Sequence, residues 1–234
     1  MPTPQTTRPE KKRVVLSWSS GKDSAWALHL LRQQPDVEVT ALVTTFNQVA
    51  DRAAMHATRR TLVEAQAEAA GLPLVAVPLP WPCTNDEYER RTVAALAPLH
   101  AAGATHVAFG DLFLEDVRAY RERLLAPTGL KPLFPLWHPP GGTQRLAREM
   151  VDGGLRATLT CVDPKQLDPA CLGRLFDATL WQELPPSCDL CGENGEFHTF
   201  CHAGPMFAHD ISIEAGIRVE RDGFWFLDLC ACTT

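Results

Sequence analysis

Lysine is scarce in this chain. It occurs only at positions 11, 12, 22, 131 and 165, and arginine supplies the rest of the 22 basic side chains. Positive charge is not in excess either. The 28 acidic residues leave a formal charge of −6, which argues against a nucleic-acid-coating role but leaves room for a local basic cleft. No run of about 18 apolar residues occurs, so a transmembrane helix is excluded and no membrane partner is expected. The first twelve residues, MPTPQTTRPEKK, lack the apolar stretch of a secretory signal, so a cytoplasmic protein is expected. Internal repeats are absent. Eight cysteines are present, but in a chain of this length without a signal they are expected as reduced thiols. With 45% hydrophobic and 21% charged residues in 234, the composition excludes a disordered chain and fits one large domain, or a domain with an extension.

The order of elements predicts an α/β fold. Residues 1–12 carry three prolines and read as a flexible arm. Val14-Val15-Leu16 opens a short buried strand, followed by a small-residue turn and a helix whose apolar positions include Ala25, Trp26, Leu28 and Leu31. Strands are expected near residues 37–46, 72–79 and 105–109. Helices are expected near 58–70, 85–102 and 115–125, with His56 as a capping or solvent-facing residue, Gly71 as a helix stop and Thr84 or Asn85 as a cap. Strands alternating with helices imply a parallel, Rossmann-like sheet. From Pro127 prolines recur, at 132, 135, 139 and 140, and a soft boundary is placed there. The organisation is therefore an arm (1–12), a nucleotide-binding domain (13–127) and a smaller α+β substrate domain (128–234). The latter should hold a helix near 144–152, a strand near 155–162, a helix after Pro169, and a loop rich in Cys, Gly and Glu. Strands near 211–219 and 224–229 should follow, turning at Asp222-Gly223.

The most informative stretch is Ser19-Ser20-Gly21-Lys22-Asp23-Ser24, between the first strand and the first helix. Open α/β sheets bind ligands at the carboxyl ends of their strands. Small residues there let backbone N–H groups turn toward an anion, and the helix N-terminus adds a positive end. It is not a Walker loop, because Asp23 follows the lysine. A plain capped helix start, with Asp23 favoured by the helix dipole, is the alternative reading of these residues. Lys22 and Asp23 lie in a connection, so a small stability cost is expected for replacing either.

The stretch resembles the S-G-G-x-D-S pyrophosphatase loop of the N-type ATP pyrophosphatases, whose fold is of the adenine nucleotide alpha hydrolase type. Further segments narrow the resemblance: Gly110 with Arg118 and Glu122, then Gly129-Leu130, Leu136-Trp137, Glu149-Met150 and Leu172-Gly173. Last comes Cys191-Gly192-Glu193-Asn194-Gly195-Glu196-Phe197-His198-Thr199-Phe200. This order is similar to the diphthine–ammonia ligase family, whose late motif reads approximately C-G-E-G-G-E-Y-E-T-F. The chain departs from that pattern at Ser20, Asp111, Asn194, Phe197 and His198. His198 stands where the family carries a carboxylate, and as a histidine it is expected to titrate near neutral pH.

The resemblance implies an ATP-dependent ligase that activates a carboxylate, on a small molecule or a protein side chain, by adenylation and passes it to ammonia, with ATP and Mg²⁺ required. Ser19, Ser20, Gly21, Lys22, Asp23 and Ser24 would cradle the phosphates, with Lys22 and Asp23 in catalytic roles. Thr44, Thr45 and Phe46 at the end of the second strand would seat adenine, mainly through backbone groups. Gly110 would allow close approach of the nucleotide, and Arg118 would face phosphate, although its spacing from Glu122 also suits a surface ion pair. Glu193 and Glu196 would be catalytic, binding Mg²⁺, binding the amine or serving as a base for ammonia, on a loop lying across the strand ends near the first loop. Self-association into a homodimer is compatible with this reading. Cys188-x-x-Cys191 is half a zinc knuckle, but the second half lacks matching spacing, and no metal-ligating residues are assigned. Two rivals remain: a sulfur-transferring tRNA-modifying enzyme with the same loop, and a non-catalytic ATP-binding sensor.

Overall fold

The computed structural model describes residues 11–53, 57–138 and 141–232. Most of the N-terminal arm, His56 and the Pro139-Pro140 pair lie outside the described residues. The first part of the chain gives strands β1 (Lys12–Ser17), β2 (Val37–Asn47), β3 (Arg52–Ala53), β4 (Leu74–Leu79), β5 (His106–Ala108) and β6 (Lys131–Leu133). Five of them lie parallel in the order β4–β2–β1–β5–β6. β3 pairs antiparallel with Phe46 and Asn47, on the side of β2 where β1 has already ended at Ser17. Helices α1 (Lys22–Arg32), α2 (Arg60–Ala70), α3 (Asn85–Ala101) and α4 (Glu115–Leu125) connect the strands.

β1 shows why this sheet forms. Val14, Val15 and Leu16 are all fully buried. Val14 and Leu16 share a core with α1 and α2, whereas Val15 packs in a second core with residues of α3 and β5. A strand covered by helices on both faces must be apolar on both, hence the unbroken run. The chain fills the β2 side of β1 first and the β5 side afterwards. The strand order therefore reverses between β1 and β5, and the carboxyl ends of these two strands frame the crevice where such folds bind ligands.

The remainder forms α5 (Thr143–Asp152), β7 (Arg156–Val162), α6 (Ala178–Glu183), β8 (Phe197–Ala203), β9 (Ile213–Arg221) and β10 (Phe224–Ala231). Its four strands make a separate antiparallel sheet in the order β8–β7–β10–β9. Asp222 and Gly223 join β9 to β10 with positive φ at both residues (52° and 82°), the twist-matched hairpin turn that Asp-Gly favours. Three expectations need correction. The stretch after Pro169 is a single 3-10 turn, Pro169–Cys171, and the helix begins only at Ala178. The late motif is not all loop, because Phe197 onward is strand β8. β3 and β6 are strands where connections were expected. One hydrophobic core runs through both parts, joining Leu16, Trp26 and Leu28 to Leu159, Phe197 and Phe200. The antiparallel sheet is thereby packed onto the start of α1.

Candidate active site

A cavity of about 550 Å³ opens at the carboxyl ends of the parallel strands, within the size range of small-molecule sites. Ser17, Trp18 and Ser19 line it from the end of β1, and Thr44 and Thr45 from β2. Cys161, His198 and Phe226 close it from the antiparallel sheet. The charged residues in its wall are Arg52, Arg121, Arg221 and Asp222. Two of these cations already have carboxylate partners, Arg52 with Asp228 and Arg121 with Asp111.

The 19–24 loop is held from several sides. Ser20 stands in the left-handed region at φ 70°, where a non-glycine residue persists only if its surroundings over-determine it. They do. Its hydroxyl bonds that of Thr58 at 2.8 Å, and its carbonyl accepts from Gln66 Nε2 at 3.0 Å and from the Cys201 N–H at 2.9 Å. Gln66, fully buried, also accepts from Trp18 Nε1 at 2.8 Å and donates to the Cys201 carbonyl. It ties β1, the loop and β8 together.

Lys22 is not a free surface cation. It is 2% exposed, its Nζ donates to both Asp23 oxygens at 2.9 and 2.8 Å, and it lies 5.5 Å from the Phe176 ring centroid. Burial lowers its pKa, but Asp23 together with Cys191 and Glu193 outweighs this and the net direction is upward, so the amine stays charged. The small stability cost expected for these two residues is thus corrected: the pair is interior.

The same geometry revises the cradle. Of the loop, Ser19 reaches the cavity wall, whereas Ser20, Gly21, Lys22 and Ser24 are buried beneath the later part of the chain. The Lys22 N–H is already donated to Thr199 Oγ1 at 3.1 Å. Thr44 and Thr45 line the cavity, but Phe46 does not; its ring is fully buried and its backbone is paired with Pro78 and Ala53. Gly110 serves the loop itself, since a Cβ there would lie 2.9 Å from the Ser24 amide nitrogen. Arg118 is turned away from the cavity, pairing with Glu122 at 3.0 Å and stacking on Trp137. Its neighbour Arg121, one helical turn on, lines the wall instead and donates to Asp111 at 3.1 Å. Sequence reasoning missed Arg121. The available signal was Asp111, an acid at a departure from the family pattern, which called for a cationic partner.

The late motif packs directly against the first loop. Glu193 accepts from the Leu112 N–H at 3.2 Å and interacts with Asp23 and Lys22. Burial first, then the Asp23 charge, push its carboxyl up to about 7, against the opposing pull of the Leu112 N–H and Lys22. Glu196 behaves differently. It is 1% exposed, and its oxygens accept from the Asp189 N–H (2.7 Å), the Asn194 N–H (2.9 Å) and Asn194 Nδ2 (3.2 Å). That carboxylate staples its own loop, and the catalytic role expected for it is not supported by where it points. His198 reaches the cavity wall, but burial, with Lys22 nearby, lowers its pKa to about 4. It is therefore neutral at pH 7 and does not titrate there as expected.

The cysteines are reduced thiols in this structure. Burial pushes Cys161 and Cys188 up to about 12 and raises Cys191 and Cys201 as well, so they stay protonated. Among the described residues no group of His, Cys, Asp or Glu is arranged to hold a metal ion, and no helix is long and apolar enough to cross a membrane.

Arg52 and Arg59 converge on Asp228 of β10. Arg59 first, with Arg52, holds that carboxyl down to about 2. A depressed acid stabilises the fold above its unfolded pKa and loses that contribution as pH falls through the folded value. Asp228→Asn should therefore be less stable than the native protein at pH 6 by at most about 2 kcal/mol. The difference should close between about pH 4 and pH 2. Urea denaturation at both ends of that window measures it, and a pH-independent difference would contradict the pairing.

The fold is a mixed α/β one, a mostly parallel Rossmann-like sheet with a separate antiparallel sheet, and its cavity lies at the reversal of strand order. Comparison with known families agrees: residues 12–132 match the diphthamide synthase N-terminal domain, and residues 142–233 match the diphthamide synthase C-terminal domain. The chain belongs to the diphthamide synthase family, an ATP-using, amide-forming family of the ATP-pyrophosphatase type. No curated protein matches it.

Proposed function

We propose that the protein is an adenylating amide ligase, joining a carboxylic acid to ammonia with conversion of ATP to AMP and pyrophosphate. The observation that carries this is Glu193: a late-motif carboxyl tuned to about 7 and set against the Lys22–Asp23 pair of the nucleotide loop. ATP supplies the activation, its α-phosphorus accepting the acid's oxygen as pyrophosphate departs. Ser19, Thr44 and Thr45 line the place for the nucleotide, and Lys22 supplies a fixed positive charge behind the loop. Glu193 takes the proton that ammonia's nitrogen loses as the amide forms and AMP leaves. Mg²⁺ belongs to this reading as a companion of the triphosphate. Among the described residues no group of three or more His, Cys, Asp or Glu is arranged to hold it.

The test is to supply candidate acids labelled with ¹⁸O in the carboxyl group, together with ATP and ammonium, and to weigh the products. Amide formation with one labelled oxygen in AMP is expected. Amide formed with unlabelled AMP would overturn adenylation.

A further inference from the structure

We propose that Thr58 is a positioning residue for the nucleotide loop, its hydroxyl holding Ser20 in the backbone conformation that aims Ser19 at the cavity. The proposal rests on the reading of residues 19–24 as the loop that meets ATP.

Ser20 is where the chain changes direction. Before it, Ser17, Trp18 and Ser19 line the cavity at the end of β1. After it, Gly21 caps α1 with φ −84° and ψ 173°. Between them Ser20 is left-handed, at φ 70°. That one angle fixes how the first N–H groups of α1 stand to the cavity wall. Glycine takes such a conformation freely, whereas serine does so at a cost that its surroundings must offset.

Serine also brings a hydroxyl into an enclosed place. Ser20 is fully buried, and a hydroxyl there without a partner is costly. Thr58, itself buried, shares a hydrogen bond with it at 2.8 Å. The ties from Gln66 and Cys201 grip the Ser20 carbonyl instead. The Thr58 bond therefore does what they cannot: it satisfies the side chain and holds its direction.

Thr58 is a fixed point for this purpose. Its carbonyl accepts from the Ala53 N–H of β3 at 2.8 Å. Ala57 before it is left-handed too, at φ 53°, and lines the cavity. The Ala57 N–H donates to the Ala53 carbonyl at 3.0 Å, and its own carbonyl accepts from Arg52 Nη1 at 2.9 Å. The same Arg52 nitrogen donates to Asp228 of β10 at 2.7 Å. Thr58 thus sets Ser20 against β3 and against the antiparallel sheet together.

Calorimetric titration of the full chain with α,β-methylene-ATP tests this. Thr58→Val keeps the shape and removes the hydroxyl, and it should weaken nucleotide affinity about five- to thirtyfold. Thr58→Ser keeps the hydroxyl and should stay within about twofold of the native protein. In a Ser20→Gly background neither the buried hydroxyl nor the conformational cost remains, so adding Thr58→Val should change the affinity by less than about twofold. If Thr58→Val fails to fold, Ser20→Ala against Ser20→Gly decides. Ser20→Ala keeps the cost and loses the bond, and should bind about five- to thirtyfold more weakly than Ser20→Gly; equal affinities would overturn the proposal. A Thr58→Val protein with a lowered urea midpoint but native affinity would overturn it too, because a purely structural hydroxyl gives that result. So would an equal loss of affinity on adding Thr58→Val to the native chain and to Ser20→Gly. A native protein that does not bind the analogue would bring down the reading of the loop itself, and this proposal with it.

Discussion

Glu193→Gln should slow acid- and ammonia-dependent AMP formation by about a hundred- to ten-thousandfold, the usual contribution of a general base, while ATP affinity stays close to native. The native rate should rise with pH through about 7, where Glu193 loses its proton, and the variant should lack that limb. Stability separates this from simple damage to the fold. The carboxyl's folded pKa is raised, so its ionisation costs stability as pH increases from the unfolded value of 4.5 through about 7. The amide variant escapes that cost and should be at least as stable as the native protein at pH 8. A variant that kept the native pH limb would remove Glu193 from the proton-transfer role.

The second large effect is on stability. Lys22→Ala should cost about 3 kcal/mol at most, because it leaves the half-buried Asp23 carboxylate, 26% exposed, without its partner. Lys22→Met combined with Asp23→Asn removes both charges and should be more stable than Lys22→Ala, since replacing a whole buried pair is far less harmful than breaking one. Turnover should be lost in both, as both lack the charge behind the loop. Denaturation midpoints and slopes in urea decide the stability order. Equal losses in the single and double variants would mean that the pair is not coupled.

The parallel half of the fold was legible because its signals are local. An apolar run covered on both faces marks β1, Gly71 ends α2 at φ 64°, and the Thr84 hydroxyl accepts from the Glu87 N–H to start α3. β8 was hidden because it is an edge strand of the antiparallel sheet and carries His198 and His202 among its apolar residues, directly after a glycine-rich turn. β3 and β6 have two and three residues, too few to display a period.

The site was legible at the level of motifs and not of side-chain direction. Glu193 and Glu196 look alike in sequence, three apart in one loop. Only the fold shows one carboxylate reaching Leu112 and the other bonded within its own turn. Arg118 and Arg121 differ by one helical turn, and the visible Arg118–Glu122 spacing drew attention to the residue that faces away. Burial of Lys22 arises from β8 closing over the loop through Thr199 and Cys201, a contact between segments about 180 residues apart that no local pattern records.

The central claim is that ATP is cut between its α- and β-phosphates. Incubation with an accepted acid, ammonium and ATP carrying radioactive phosphorus at the γ position tests it most directly. The predicted result is labelled pyrophosphate, with AMP formed in equal amount and only when the acid is present. Labelled orthophosphate with ADP would contradict it.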